Sequence, residues 1–233
     1  MRPRTKLSGV LAVALLAALL PSPGSASARI IDPALVFPSA GSRYRSVRAP
    51  HCSLKDAKTL VANRHVRIFN APYPKYGSLT FACRRSADRA FVIGITGECQ
   101  NNDVIDSAVV AGTLAALNIH TCGLASSESR VALLELRTGV VVFAAPPLDL
   151  PPTYTGYDAI RGMAVTAAGR LAWLAVRIER GRVVAVQVRR RARDPNGPPV
   201  LLDSSPDIDP RSLRRSRSLL TWQHGEVTRS AAM

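Results

Sequence analysis

Leu171-Ala172-Trp173-Leu174-Ala175-Val176-Arg177-Ile178, then Glu179-Arg180-Gly181-Arg182, then Val183-Val184-Ala185-Val186-Gln187-Val188, is two apolar runs joined by a polar tip that contains glycine. Runs of this length and composition, punctuated by such a tip, predict two β-strands and the turn between them. The same grammar extends in both directions. Residues 66–69, 79–83, 90–95, 109–119 (interrupted by Gly112), 130–136, 140–143, 163–166, 200–202 and 218–223 are further β-rich segments. Arg137-Thr138-Gly139 marks a hairpin, and Asp194-Pro195-Asn196-Gly197 a tight turn, because Pro presets φ and Asn-Gly tolerates positive φ. Only residues 106–117, Ala-rich and weakly alternating, leave room for a competing helix.

The segments recur. Leu171-Ala172-Trp173 and Leu220-Thr221-Trp222 are forty-nine residues apart, and Val66-Arg67-Ile68 and Leu114-Ala115-Ala116 stand at similar places in earlier units. A period near fifty with about four strands per unit falls in the range of propeller blades. The expected fold is therefore all-β, a propeller-like array of about four short antiparallel sheets over residues 52–233. The length allows only about four blades, fewer than many propellers have, which leaves a closed small propeller, an open or incomplete array and a β-sandwich as alternatives.

Ahead of this domain, residues 1–28 read as a secretory signal: Arg2, Arg4 and Lys6, an apolar stretch over 7–20, and Ala26-Ser27-Ala28 as a cleavage site. Fourteen apolar residues are fewer than the ~20 a membrane-spanning helix needs, so no transmembrane segment is expected in the mature chain. Residues 29–51, with Pro33, Pro38, Pro50 and the cluster Arg43, Arg45 and Arg48, read as an extended basic arm. The expected location is secreted or extracytoplasmic.

The formal charge of +15 falls to +12 once Arg2, Arg4 and Lys6 are removed. Such a balance favours anionic partners, although 27 of the 31 cations are Arg, a bias that high-GC coding also produces. An apolar fraction of 47% argues for a packed core and against general disorder. Cys52, Cys83, Cys99 and Cys122 make an even set in an oxidising compartment. Three pairings are open. Cys52 with Cys83 and Cys99 with Cys122 close neighbouring loops without crossing and are preferred, and the lack of a C-x-x-C pair argues against zinc.

The stretches Cys83-Arg84-Arg85-Ser86, Leu136-Arg137-Thr138-Gly139 and chiefly Val200-Leu201-Leu202-Asp203-Ser204-Ser205, running through Ile208-Asp209-Pro210-Arg211-Ser212-Leu213 to Trp222-Gln223-His224-Gly225 and Arg229-Ser230-Ala231, carry a resemblance. The chain resembles exported proteins of high-GC bacteria with β-propeller-like (WD40/TolB-like) repeats. That resemblance implies fold and compartment and brings no catalytic residue.

No nucleophile elbow, zinc-protease helix, phosphate-binding glycine loop or EF-hand is present. His51, His65, His120 and His224 are scattered, so no catalytic residue, cofactor or metal is assigned. Glu98, Asn101, Asn102, Asp103 and Asp106, and again Asp203, Asp207 and Asp209, read as polar turns rather than cation sites. Binding residues are expected in two tyrosine loops, Tyr73 with Tyr76 and Tyr154 with Tyr157, because rigid amphipathic rings on stiff turns suit sugar or peptide recognition. Arg189, Arg191 and Arg214, from the runs around 182–193 and 211–217, are the expected anion contacts, with strand alternation placing Arg190 opposite Arg189 and Arg191.

The expected function is that of an exported, non-catalytic, monomeric binding protein for an anionic envelope polymer, a glycan or another exported protein, and not for nucleic acid. Its competitors are an exported hydrolase or lyase with a dispersed His/Asp/Tyr site and a purely structural interaction module. The enzyme reading requires one of His65, His120 and His224 to lie within hydrogen-bond reach of an acid.

Overall fold

The computed structural model describes residues 50–74, 77–96, 103–122, 127–151, 156–192, 194 and 197–233. Among them the chain forms fifteen strands and a single 3-10 turn at Arg85–Ala87, with no α-helix. The strands are β1 (Lys58–Ala62), β2 (Val66–Tyr73), β3 (Gly77–Arg84), β4 (Arg89–Thr96), β5 (Asp103–Ala111), β6 (Leu114–Cys122), β7 (Ser127–Glu135) and β8 (Val140–Ala145). They continue as β9 (Gly156–Val165), β10 (Leu171–Glu179), β11 (Arg182–Arg190), β12 (Val200–Ser204), β13 (Arg214–Ser216), β14 (Leu219–His224) and β15 (Val227–Ala232).

Three sheets result: eight strands in the order β1 to β8, four in the order β12-β11-β10-β9, and three in the order β13-β14-β15. None closes on itself. The fold is all-β, and neighbouring strands are antiparallel except β4 and β5, which meet in one parallel pairing, Ile95 with Val104. That pairing divides the eight-stranded sheet into two four-strand meanders. Gly94 permits it: a Cβ there would lie 2.8 Å from the Asp103 carbonyl oxygen and 2.9 Å from Ile105 Cγ1.

Alternation along the strands sorts side chains into three apolar cores. Ala115, Leu117 and Ile119 of β6 and Ala132 and Leu134 of β7 join the core shared with β2 and β3. Their sequence neighbours Leu114, Ala116, Val131 and Leu133 belong instead to a second core, with Leu171, Trp173 and Ala175 of β10. Ala172, Leu174, Val176 and Ile178 then face a third, which Leu220 and Trp222 of β14 and Met233 complete. The four-stranded sheet is thus covered on both faces, and β10 is buried over its first eight residues, the condition in which a strand reads as an unbroken apolar run.

The β10–β11 tip is a two-residue turn between the paired Glu179 and Arg182, with φ of 49° at Arg180 and 76° at Gly181. Positive φ at both central positions is the I′ geometry that matches strand twist. Residues 106–117, where a helix competes on sequence, are instead the second half of β5, the turn at Gly112 (φ 60°) and the start of β6. The four recurring stretches that begin at Val66, Leu114, Leu171 and Leu220 fall in β2, β6, β10 and β14, each with a partner strand on both sides.

Cys52 is disulfide-bonded to Cys83, the first of the two preferred pairs. Cys99 and the Cys122 side chain lie outside the described residues, as do residues 1–49. Beside the disulfide, Arg67 donates to the carbonyls of Cys52, Leu54 and Ala57 and stacks 4.6 Å over the Phe69 ring. Among the described residues no helix is long and apolar enough to cross a membrane.

Candidate functional site

Arg189 and Arg190 end β11 and Arg191 follows it, and alternation sends successive side chains to opposite faces. Arg189 stacks 5.9 Å from the Trp173 ring and Arg191 5.4 Å from the Phe143 ring, so both lie on the side of the second core. Arg190 turns the other way and donates through Nη1 to the Ala232 carbonyl of β15 at 3.2 Å. Arg189 is 3% exposed, and its one acidic neighbour, Asp149, is 3.5 Å away. Burial pushes its pKa down while Asp149 pulls it up. The buried Arg189 is therefore a packing cation rather than an open contact.

At the end of β10 near residue 171, Arg190 and Arg191 converge with Arg170 on a cavity of about 470 Å³, which Gly169 and Met233 also line. The turn 166–170 sets the floor: Thr166 and Arg170 exchange hydrogen bonds, and Gly169 takes φ of 78°, a conformation favourable to glycine. Arg170 Nη1 donates to the Met233 oxygen at 2.6 Å. Arg191 reaches only carbonyls, those of Gly169 at 3.4 Å and Val142 at 3.5 Å. Nε of Arg190 and of Arg191 is buried with no acceptor. Among the described residues no acidic side chain lines this cavity, and loss of water pushes the Arg191 pKa down. A guanidinium stays charged even so, and a partly desolvated cation without a counter-charge is a favourable place for an anion.

A second cavity, of about 320 Å³, opens at the other end of the same strand, where β7 and the segment after β8 meet β9 and β10. Tyr157, Asp158 and Arg177 line it with Glu128 and Leu148. Arg177 holds Asp158 in a fork, Nε to Oδ1 at 2.8 Å and Nη2 to Oδ2 at 3.1 Å, and donates through Nη1 to the Pro151 carbonyl at 2.7 Å. The hydrogen bond to Asp158 raises the Arg177 pKa, with burial opposing. The wall formed by residues 147–151 is pinned from β10 and β11, by Trp173 Nε1 on the Pro147 carbonyl (2.8 Å) and by Gln187 Oε1 accepting from the Asp149 amide (3.2 Å).

Asp203 is 8% exposed and densely bonded. Oδ2 accepts from Trp222 Nε1 (2.7 Å) and contacts His224 Nδ1 (2.9 Å), while Oδ1 accepts from Arg229 Nη1 (3.0 Å) and the Ser204 amide (2.9 Å). Burial raises its pKa, but His224, Trp222 and Arg229 outweigh that and the net shift is downward. His224 therefore has the acidic neighbour that catalysis requires. Both oxygens of that neighbour are committed to tying β12 to β14 and β15. His51 also meets an acid, Asp88, at 2.9 Å on an exposed surface; His65 accepts from Arg64 Nε at 2.9 Å, and His120 contacts Ser129 Oγ at 3.2 Å and acts electrostatically on Asp106, whose pKa burial pushes up while His120 pulls it down.

Of the expected binding residues, Arg191 reaches the arginine cavity and Tyr157 the second one. Arg214, in β13, is exposed, lines neither cavity and donates through Nη1 to the carbonyls of Arg211 (2.7 Å) and Leu213 (3.0 Å). Tyr73 is half-buried at the end of β2, and Tyr76 and Tyr154 lie outside the described residues. Arg170 and Arg177 were not singled out from sequence. Arg177 does carry a signal, a lone charge inside a buried apolar run, which demands a paired acid. Asp103, from the first acidic turn, is buried against Thr121 and Arg130, and no group of three or more potential metal ligands occurs among the described residues. No protein-family model and no curated protein matches this sequence.

Proposed function

We propose that this is an exported, non-catalytic binding protein that recognises an anionic group of an envelope or extracellular polymer through Arg170, Arg190 and Arg191. The observation that carries this reading is a cavity of about 470 Å³ lined, among the described residues, by three arginines and no acidic side chain, with Arg170 held on the Met233 main-chain oxygen. An anion there would meet guanidinium groups that no acidic side chain lining the cavity pairs, and so offset the cost of partly desolvating those cations. Stacking of four strand groups through three cores favours an open propeller-like array, in which strand ends and turns present such sites from a rigid lattice. The Cys52–Cys83 bridge suits an oxidising compartment.

The test is retention of the mature protein on immobilised dextran sulfate and polyphosphate across a salt series. Binding should be saturable, should weaken with ionic strength, and should fall at least tenfold in Arg170→Gln/Arg191→Gln while Arg214→Gln behaves as wild type. Absence of binding to both polymers at low salt, or a double variant that binds like wild type, overturns the proposal.

A further inference from the structure

The cavity at the opposite end of β10 differs in chemistry from the arginine cavity. Leu171, which lines one, and Arg177, which lines the other, are six steps apart along the strand, so they stand about 20 Å apart at ~3.3 Å per residue. Its charged lining is Glu128, Asp158 and Arg177, a net −1 on a basic protein, so an anion is disfavoured there. Yet the Asp158 carboxylate is held in a fixed plane by the Arg177 fork, and each of its oxygens keeps a lone-pair direction beyond the one the fork occupies. Among the described residues Glu128 has no side-chain hydrogen bond or ion pair and is exposed. Tyr157, 50% exposed, brings a ring and a hydroxyl, and the half-buried Leu150 apolar surface.

We infer that this cavity is a binding site for a neutral hydroxylated ring, one sugar unit of a glycan. The oriented Asp158 carboxylate and the unbonded Glu128 carboxylate accept from sugar hydroxyls, and Tyr157 and Leu150 meet the C–H faces of the ring. Such a mixture of ring surface with a few fixed polar groups in about 320 Å³ fits the lower end of small-ligand pockets. The wall at 147–151 is already hydrogen-bonded to β10 and β11, so little ordering accompanies binding. This site stands on its own geometry and does not depend on the anion reading.

The test is calorimetric titration with chitotetraose, maltotetraose and cellotetraose, with spermidine and dextran sulfate as charged controls. Saturable binding of at least one neutral tetrasaccharide is expected, weakened tenfold or more by Tyr157→Ala and by Glu128→Gln and left unchanged by Arg170→Gln/Arg191→Gln. Both substitutions fall on exposed side chains outside the Arg177 fork, so circular dichroism and Tm should match wild type. No saturable binding of any of the three sugars overturns the inference, as does binding unaffected by both substitutions or a preference for spermidine. Loss of polymer retention in the arginine variant with sugar binding intact would leave the two sites separately established.

Discussion

Replacing Asp203 by alanine should cost about as much as any single change in the molecule, and its bonds say why. The carboxylate takes the indole N–H of Trp222, itself 3% exposed, at 2.7 Å, together with donors from Arg229 and the Ser204 amide and the contact to His224. Alanine leaves the Trp222 donor buried and unpaired, worth about 1–3 kcal/mol, and removes a hydrogen bond to a charged acceptor worth about 1.5–3 kcal/mol. Arg229 is half-exposed, so its share is discounted as a surface pair. The expected loss is about 3–5 kcal/mol in urea unfolding, with Trp222 fluorescence and far-UV circular dichroism changing together. The pH dependence has a definite sign. Because the folded pKa of Asp203 lies below its ordinary value, the ionised group stabilises fully above the unfolded carboxylate value of about 3.9 and that contribution fades as pH falls through the lower folded value. Asp203→Asn should therefore be destabilised at pH 7 and show a shallower acid-side decline than wild type. A cost below about 1 kcal/mol for Asp203→Ala, or an unchanged acid limb in Asp203→Asn, would refute the view that this carboxylate holds the last two sheets together.

Trp173→Ala should cost about 3–5 kcal/mol, since the ring is fully buried and anchors the Pro147 carbonyl; urea midpoints with an unchanged m-value would report it. Opening the Cys52–Cys83 bridge, which spans 31 residues, should lower stability by about 3–4 kcal/mol on the chain-entropy model, measured as a Tm shift between Cys52→Ser/Cys83→Ser and wild type. Gly94→Ala should drive β4 from β5 and cost about 1–3 kcal/mol, because the new methyl meets backbone at 2.8 Å; amide exchange should rise first at Ile95 and Val104. Gly181→Ala, with open space around it but φ of 76°, should cost only about 1 kcal/mol of backbone strain by the same unfolding assay.

Much of the lattice was legible because β10 and β6 are so apolar. A strand covered on both faces displays itself as a continuous run, and its ends are marked where the chain must take positive φ, as at Arg180-Gly181 and Gly112. The strands that escaped notice are β1, β13 and β15. Their residues are largely exposed, so backbone pairing rather than side-chain burial holds them, and pairing leaves no periodic mark. Residues 156–162 were unread as strand for the same reason: Tyr157 and Arg161 are exposed while the pattern turns apolar only near Met163. The sites were harder. Arg191 and Tyr157, picked out by residue type, reach a cavity, whereas Arg189 is buried against Trp173 and Arg214 stands exposed on β13 away from both cavities. Arg170 joins Arg191 only because a turn and a strand end stop at the same level, and Asp158 finds Arg177 across a strand pair. Such meetings depend on register, which residue type does not reveal.

The third core has an implication for the order in which the chain becomes safe from its neighbours. Leu174, Val176 and Ile178 are shielded by Leu220, Trp222 and Met233, groups that emerge some forty to sixty residues later during synthesis. Until they do, a strand of nine residues carries a bare oily flank with an adjoining edge, the kind of surface that recruits other chains. Clipping anywhere in 205–213 would restore that condition in the finished molecule. Proteolysis at this connector should thus be followed by clumping rather than by a soluble fragment.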